Sequence, residues 1–310
     1  MREKITICEV GPRDGLQMAH AIMPTAAKIR WIEAIAAAGL PAIEVGSFVP
    51  ARLVPQMADT AAIVAATRTL PGVTIVALAP NLRGAQDAAA AGPHRITVPV
   101  SVSEGHSRAN TRRSTGEQVA ELARIAAWLG EHHPAIGLEA ACSTAFGCSI
   151  DGVVPETRVV EVAAALVQAG AHTIALADTV GYAHPAQTRS VTRAVRAAIG
   201  DRLEGLHLHD TMGLGLANAL AGVEEGVRSF DAALAGLGGC PFAPGASGNI
   251  VTEDLVFMLE SMGFDTGIDL ARLVAARDLL HAGLPDEPMH GAVARAGIPK
   301  TFQAASRQAA

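Results

Sequence analysis

Short apolar runs alternate with longer amphipathic stretches along nearly the whole chain. Eight of the runs have the length of buried strands: ITICEV (5–10), PAIEV (41–45), VTIVALA (73–79), HRITVPV (94–100), AIGLEAA (135–141), AHTIALA (171–177), RLEGLHLH (202–209) and VRSFDAAL (227–234). The stretches between them, such as TAAKIRWIEAIAAAG (25–39) and PETRVVEVAAALVQAG (155–170), are amphipathic and end on glycine. Their apolar spacing is close to the helical period, and a glycine just past such a stretch is the usual stop signal. Pro24-Thr25, Asp59, Thr115 and Pro185 read as helix starts.

Eight successive strand-then-helix units predict a single α/β domain, a (β/α)₈ TIM barrel over residues 5–265 followed by a helical extension over 266–310. The segment GIDLARLVAARDLLHAGL (267–284) reads as one more helix, packed outside the barrel. A doubly wound open sheet would share the periodicity, but no Gly-x-Gly-x-x-Gly follows the first run and no composition break marks a second domain.

Composition narrows the picture. Half of the 310 residues are hydrophobic and only 3% are aromatic, which suits strands buried on both faces and close helix packing. A net charge of -6 argues against nucleic acid as a partner, because phosphate binding needs a basic face. No run reaches membrane-spanning length and the start, MREKITICEV, has no signal-peptide core. Cys8, Cys142, Cys148 and Cys240 are scattered without Cys-x-x-Cys spacing, so the expectation is a reduced, cytoplasmic protein.

In a barrel of this kind chemistry sits at the C-terminal ends of the strands. Those ends carry Arg13-Asp14, Glu44, Asn81, Cys142-Ser143, Asp178-Thr179 and His207-x-His209-Asp210. Residues i and i+2 of a strand project to one side, so His207 and His209 can face one centre. Two imidazoles with an aspartate such as Asp14 form a common divalent-metal set; the bland alternative is two histidines satisfied by loop hydrogen bonds. GLGGCPFAPGASGN (236–249) reads either as a flexible connector or as a glycine-hinged lid that delivers Cys240. Asn249 is an oxygen donor, a helix cap, or both.

The motifs EVGPRDGLQ, IEVGSFVP with VPQMAD, HLHDTMGLGLAN and AGLGGCPFAPGASGNIVTEDLVFML together resemble the 3-hydroxy-3-methylglutaryl-CoA lyase family, over about residues 5–280. That resemblance implies a divalent metal, Mg²⁺ or Mn²⁺, on Asp14, His207, His209 and Asn249. It implies catalytic roles for Arg13, Glu44, Asp178, His207 and Cys240, substrate contacts from Arg13, Gln17, Ser47 and Gly239, an acyl-CoA substrate and a homodimer. The implied reaction breaks the C2–C3 bond of a 3-hydroxyacyl-CoA. A metal acidifies the tertiary hydroxyl, Arg13 stabilises the thioester enolate, His207 or a metal-bound water, supported by Asp178, takes the hydroxyl proton, and Cys240 returns a proton as the lid closes.

Arg108, Arg112 and Arg113 lie in SEGHSRANTRRS (103–114), which is either a contact for coenzyme A phosphates or a solvated surface loop. His20 stands where related forms carry lysine and Ala175 where serine is common; neither belongs to the metal set. A related branched 3-hydroxyacyl-CoA is the alternative substrate. A condensing synthase of the isopropylmalate type is disfavoured by Asp210 after His209, by the Gly-Gly-Cys-Pro segment and by the short C-terminal part. A catalytically silent binding barrel is disfavoured by the intact set of Arg13, Asp14, His207, His209 and Cys240.

Overall fold

The computed structural model describes residues 2–238 and 248–304. All eight predicted runs are strands: β1 (Thr6–Glu9), β2 (Ala42–Ser47), β3 (Thr74–Leu78), β4 (Arg95–Ser101), β5 (Gly137–Ser143), β6 (Thr173–Asp178), β7 (Leu203–Leu208) and β8 (Ser229–Ala232). Each pairs in parallel with its neighbours, and β1 pairs with β8, so the sheet closes into a barrel. Closure excludes the open doubly wound sheet. The chain is a (β/α)₈ barrel, with helices such as Thr25–Ala37, Glu156–Gln168 and Pro185–Ile199 packed round it.

Local chemistry sets the helix starts. Asn81 accepts the Gly84 N–H at the start of Leu82–Ala91, as an N-cap side chain should. Ser114 and Glu117 form a reciprocal capping box at the start of Thr115–His132. Pro185 is the first residue of its helix, where its missing N–H is harmless. Asp59 precedes Thr60–Thr67 but its carboxylate is turned elsewhere, to Thr25 (2.7 Å) and the buried Lys28 (2.7 Å). It ties two neighbouring helices together instead of capping one.

Two segments differ from the sequence reading. Residues 270–283 form two helices, Leu270–Ala275 and Arg277–Gly283, where one was expected. The Ala276 N–H is shared between the Arg272 and Leu273 carbonyls, both at 3.1 Å, a tightening that ends the first helix. The basic segment after β4 is a helix, Glu104–Thr111, because Ser103 caps it through the His106 N–H.

The barrel axis is unusual. Such interiors are generally filled by branched aliphatic side chains. Here small and polar residues face inward, and a cavity of about 870 Å³ runs from Arg13 and His207 at the C-terminal rim down to Thr6, Arg95 and Glu204 at the strand starts. Arg95 bridges Glu139 and Glu204, each at 3.0 Å. Burial and the nearby Asp231 charge push the Glu139 carboxyl up to about 7 although Arg95 opposes the shift. Cys8, Cys142 and Cys148 are free thiols. No described helix is long and apolar enough to cross a membrane.

Ser114→Ala removes one half of the capping box and is expected to lower stability by about 1 kcal/mol, read as a lower denaturation midpoint with unchanged slope. An unchanged midpoint would show that the helix does not depend on this cap.

Candidate active site and metal centre

Strand β1 ends in a single wide turn. The Val10 carbonyl receives the N–H groups of Arg13 (3.0 Å), Asp14 (2.7 Å) and Gly15 (3.4 Å), giving a π-type turn over Gly11–Gly15. Such turns often occur at functional sites. Gly11 has to be glycine, since a Cβ there would fall 2.4 Å from Glu9 Oε1 and 3.0 Å from the Trp31 ring. The turn delivers Arg13 and Asp14 to the cavity wall.

From the other side of the barrel, β7 and the residues just beyond it supply His207 and His209. Their Nε2 atoms lie 3.1 Å apart. Asp14 Oδ2 is 3.6 Å from His209 Nε2 and 3.9 Å from His207 Nε2. These three residues form a group able to hold a metal ion. An isolated bridge pairs His209 with Asn249. The Asn249 amide donates to Asp14 Oδ2 (2.8 Å) and to the Leu237 carbonyl (3.2 Å), while its Oδ1 is buried with no partner.

The residues fit a divalent cation. Asp231 Oδ2 lies 3.1 Å from His207 Nδ1, and a carboxylate can only accept, so Nδ1 carries the hydrogen. In the neutral ring Nε2 is then bare and available as a ligand. Two imidazole nitrogens, a carboxylate and an orphaned amide oxygen suit Mg²⁺ or Mn²⁺ in a mixed oxygen–nitrogen set. A carboxylate behind the outer nitrogen of a ligating histidine is the usual supporting arrangement.

Arg13 organises the charges. Its Nε donates to Glu44 Oε2 at 2.5 Å and its Nη1 pairs with Asp14 Oδ1. Burial opposes the Asp14 charge, but Arg13, a hydrogen bond from His209 and the His207 charge hold its carboxyl well below the usual range. For Glu44 burial prevails over Arg13, so its proton affinity is raised. Burial alone would lower the His207 pKa, but the Asp231 hydrogen bond and the Asp14 and Asp231 charges outweigh it and raise the pKa.

Arg13, Asp14, Gln17, Glu44, His207 and His209 all border one cavity. Asn249, Asp178 and Ser47, also expected at the site, do not line its wall. Asp178 is 1% exposed and its two oxygens accept the Tyr182 and Ala183 N–H groups, each at 3.0 Å; it shapes the loop after β6. Ser47 is also buried and its hydroxyl has no partner. On β2 it is Ala42 and Glu44 that line the cavity. Gly239 and Cys240 lie outside the described residues. Among the three arginines of 103–114, Arg113 borders the cavity, whereas Arg108 pairs with Glu104 at 2.7 Å.

Sequence reasoning missed Asp231. The signal was present: SFD and HLH lie on consecutive strands, and the ladder sets His207 opposite Asp231. Register cannot be read from one strand alone, and an acidic residue inside an apolar run looked incidental.

Comparison with known proteins gives a consistent picture. The family model described as HMGL-like matches residues 4–280. An (R)-citramalyl-CoA lyase from Chloroflexus aurantiacus is 44% identical over 305 residues, 95% of each chain. The cytoplasmic 3-hydroxy-3-methylglutaryl-CoA lyase of Rattus norvegicus is 41% identical over 278 residues, 90% of this chain and 80% of the relative. Among solved structures, an HMG-CoA lyase from Acinetobacter baumannii in complex with coenzyme A and 3-methylmalate superposes with a TM-score of 0.91. It is 38% identical, and 97% of each chain is covered.

Asp231→Asn removes the anion that favours the His207 imidazolium, so in metal-free protein the His207 pKa is expected to fall. Imidazole NMR titration measures it. An unshifted titration would mean that Asp231 does not set the ring's proton.

Proposed function

The chain belongs to the HMGL-like family, and from that membership we propose that it is a divalent-metal-dependent carbon–carbon lyase of dicarboxylic 3-hydroxyacyl-CoA thioesters. The observation that carries this reading is the meeting of Asp14, His207 and His209 beside Arg13 in one cavity, with Asn249 bonded to Asp14. We assign 3-hydroxy-3-methylglutaryl-CoA as the first substrate, cleaved to acetyl-CoA and acetoacetate.

The reaction removes the proton of the C3 hydroxyl, converts C3 to a carbonyl, and leaves the C2–C3 electron pair on the acetyl-CoA enolate, which takes a proton at C2. A bound Mg²⁺ or Mn²⁺ supplies Lewis acidity and a fixed orientation for the hydroxyl and the distal carboxylate. Asp14, His207, His209 and Asn249 are the residues that would hold it. Arg13 is anchored through Nε and Nη1, and among the described residues its Nη2 has no acceptor. That leaves a fixed, permanently charged donor in the cavity wall to stabilise the enolate oxygen. Glu44 Oε1 is buried without a partner, and burial raises its proton affinity. It is the carboxylate suited to accept the hydroxyl proton, a part for which Asp178, bonded to its own loop, is not free. Cys240 stays in this reading as the proton donor to C2. A cytoplasmic homodimer is part of the same reading, and the free state of the three described cysteines fits a reducing compartment.

A specific observation favours a second substrate. The (R)-citramalyl-CoA lyase is 44% identical and is covered to 95% on both sides. Citramalyl-CoA has one methylene fewer between C3 and the distal carboxylate and would give pyruvate in place of acetoacetate.

Incubation with each thioester and Mn²⁺, with acetoacetate and pyruvate assayed separately, decides between the two. Acetoacetate formation abolished by a chelator is expected; pyruvate alone would keep the mechanism and change the substrate. Full turnover after metal removal would contradict the proposal. Arg13→Lys is expected to lower kcat by about 10²–10³-fold, and an unchanged kcat would remove Arg13 from the enolate site.

A further inference from the structure

Glu9 is the first residue of EVGPRDGLQ, yet it takes no part in the cavity. It is the last residue of β1, is 0% exposed, and faces the helix layer. Among the described residues it forms no ion pair. Burial pushes its carboxyl up to about 8, so the group is retained at a cost and needs a reason.

Its hydrogen bonds supply one. Glu9 Oε1 accepts the Gly11 N–H (3.1 Å) and the Leu234 N–H (2.7 Å), and Oε2 accepts the Thr252 hydroxyl at 2.6 Å. These three groups lie on three segments, and Glu9 bonds to all three. Gly11 opens the turn that carries Arg13 and Asp14. Leu234 begins the short turn after β8, Leu234–Gly236. Thr252 begins the helix Thr252–Ser261, three residues after Asn249.

The turn after β8 is held against strain. Ala235 sits at φ 61, a conformation that costs a side-chain-bearing residue energy. Its N–H is taken by the buried Glu253 (3.1 Å), while Glu9 takes the preceding N–H. Leu237, just beyond, accepts one hydrogen of the Asn249 amide whose other hydrogen goes to Asp14. The oxygen donors from the two chain ends of the barrel therefore touch in front, and Glu9 links their segments behind through the Gly11 N–H and the Thr252 hydroxyl.

We propose that Glu9 is a positioning residue that fixes Asp14 and Asn249 relative to each other by binding the Gly11 and Leu234 N–H groups and the Thr252 hydroxyl. The role rests on the metal reading above. A carboxamide can play it too: the amide oxygen keeps both N–H bonds and the amide nitrogen donates to Thr252. An alanine leaves all three donors unmatched.

The test is Mn²⁺ affinity of the full chain, read by EPR without substrate. Glu9→Gln is expected within about twofold of wild type, and Glu9→Ala to bind about 10–100-fold more weakly, the range for lost ligand support. Thr252→Val, which removes a single partner, should weaken binding less than Glu9→Ala and decides the matter if Glu9→Ala does not fold. Ser114→Ala, remote from the site, controls for destabilisation and should leave Mn²⁺ affinity unchanged. Wild-type affinity in folded Glu9→Ala or in Thr252→Val would overturn the role of Glu9 alone. Equal losses in Glu9→Gln and Glu9→Ala would show that charge matters and placement does not, again overturning it. A wild-type chain that binds no Mn²⁺ overturns the metal reading and this inference with it.

Discussion

Closure of β1 against β8 is the constraint on which the rest depends. The ladder pairs Thr6 with Ser229 and Glu9 with Ala232, while β7 and β8 set His207 opposite Asp231. With those registers fixed, residues from opposite parts of the sequence become neighbours: Asn249 meets Asp14 at 2.8 Å, and Asp14 lies within 4 Å of both histidines. A one-residue slip in either pairing would turn these side chains to the opposite face. The aliphatic layer between strands and helices, with Ile5, Ile7, Ile43, Ile75 and Phe230 fully buried, opposes any such slip.

Within that frame the charges are arranged in alternation. Arg13 stands between Glu44 and Asp14, and Asp14 stands between Arg13 and the histidines. The low Asp14 pKa means that its ionised form is favoured in the fold. Its stabilising contribution is present above the ordinary carboxylate range and is lost as pH falls through the depressed value. Glu9 and Glu139 have the opposite sign. Both are raised by burial, so their contribution is fully present below the ordinary carboxylate range and is lost as pH rises through about 8 and about 7. Opposing carboxylates of this kind favour a pH of maximal stability between the two limits.

Much of this was legible in the chain itself. The eight apolar runs matched the eight strands because a parallel barrel buries both faces of each strand, giving continuous apolar runs that single-sequence reading detects well. The rim was legible because chelating and charged types gather at the ends of those runs. What escaped was whatever depends on register or on contacts with other segments. Asp231 is recognisable as the partner of His207 only once β7 and β8 are aligned. Ser47 is buried and does not line the cavity. Asp178 ends its strand as expected, but its oxygens bind the loop that follows. Glu9 stood inside the most informative motif, although nothing in its spacing says that Leu234 and Thr252 would converge on it.

The central claim is that His207 and His209 serve one metal ion together with oxygen donors. Pulsed EPR of the Mn²⁺-loaded chain reads this directly through the nitrogen couplings of the bound ion. The account predicts couplings from two imidazoles, reduced to one in a His209→Ala protein. A bound Mn²⁺ with no nitrogen coupling, or a spectrum unchanged by His209→Ala, would contradict it.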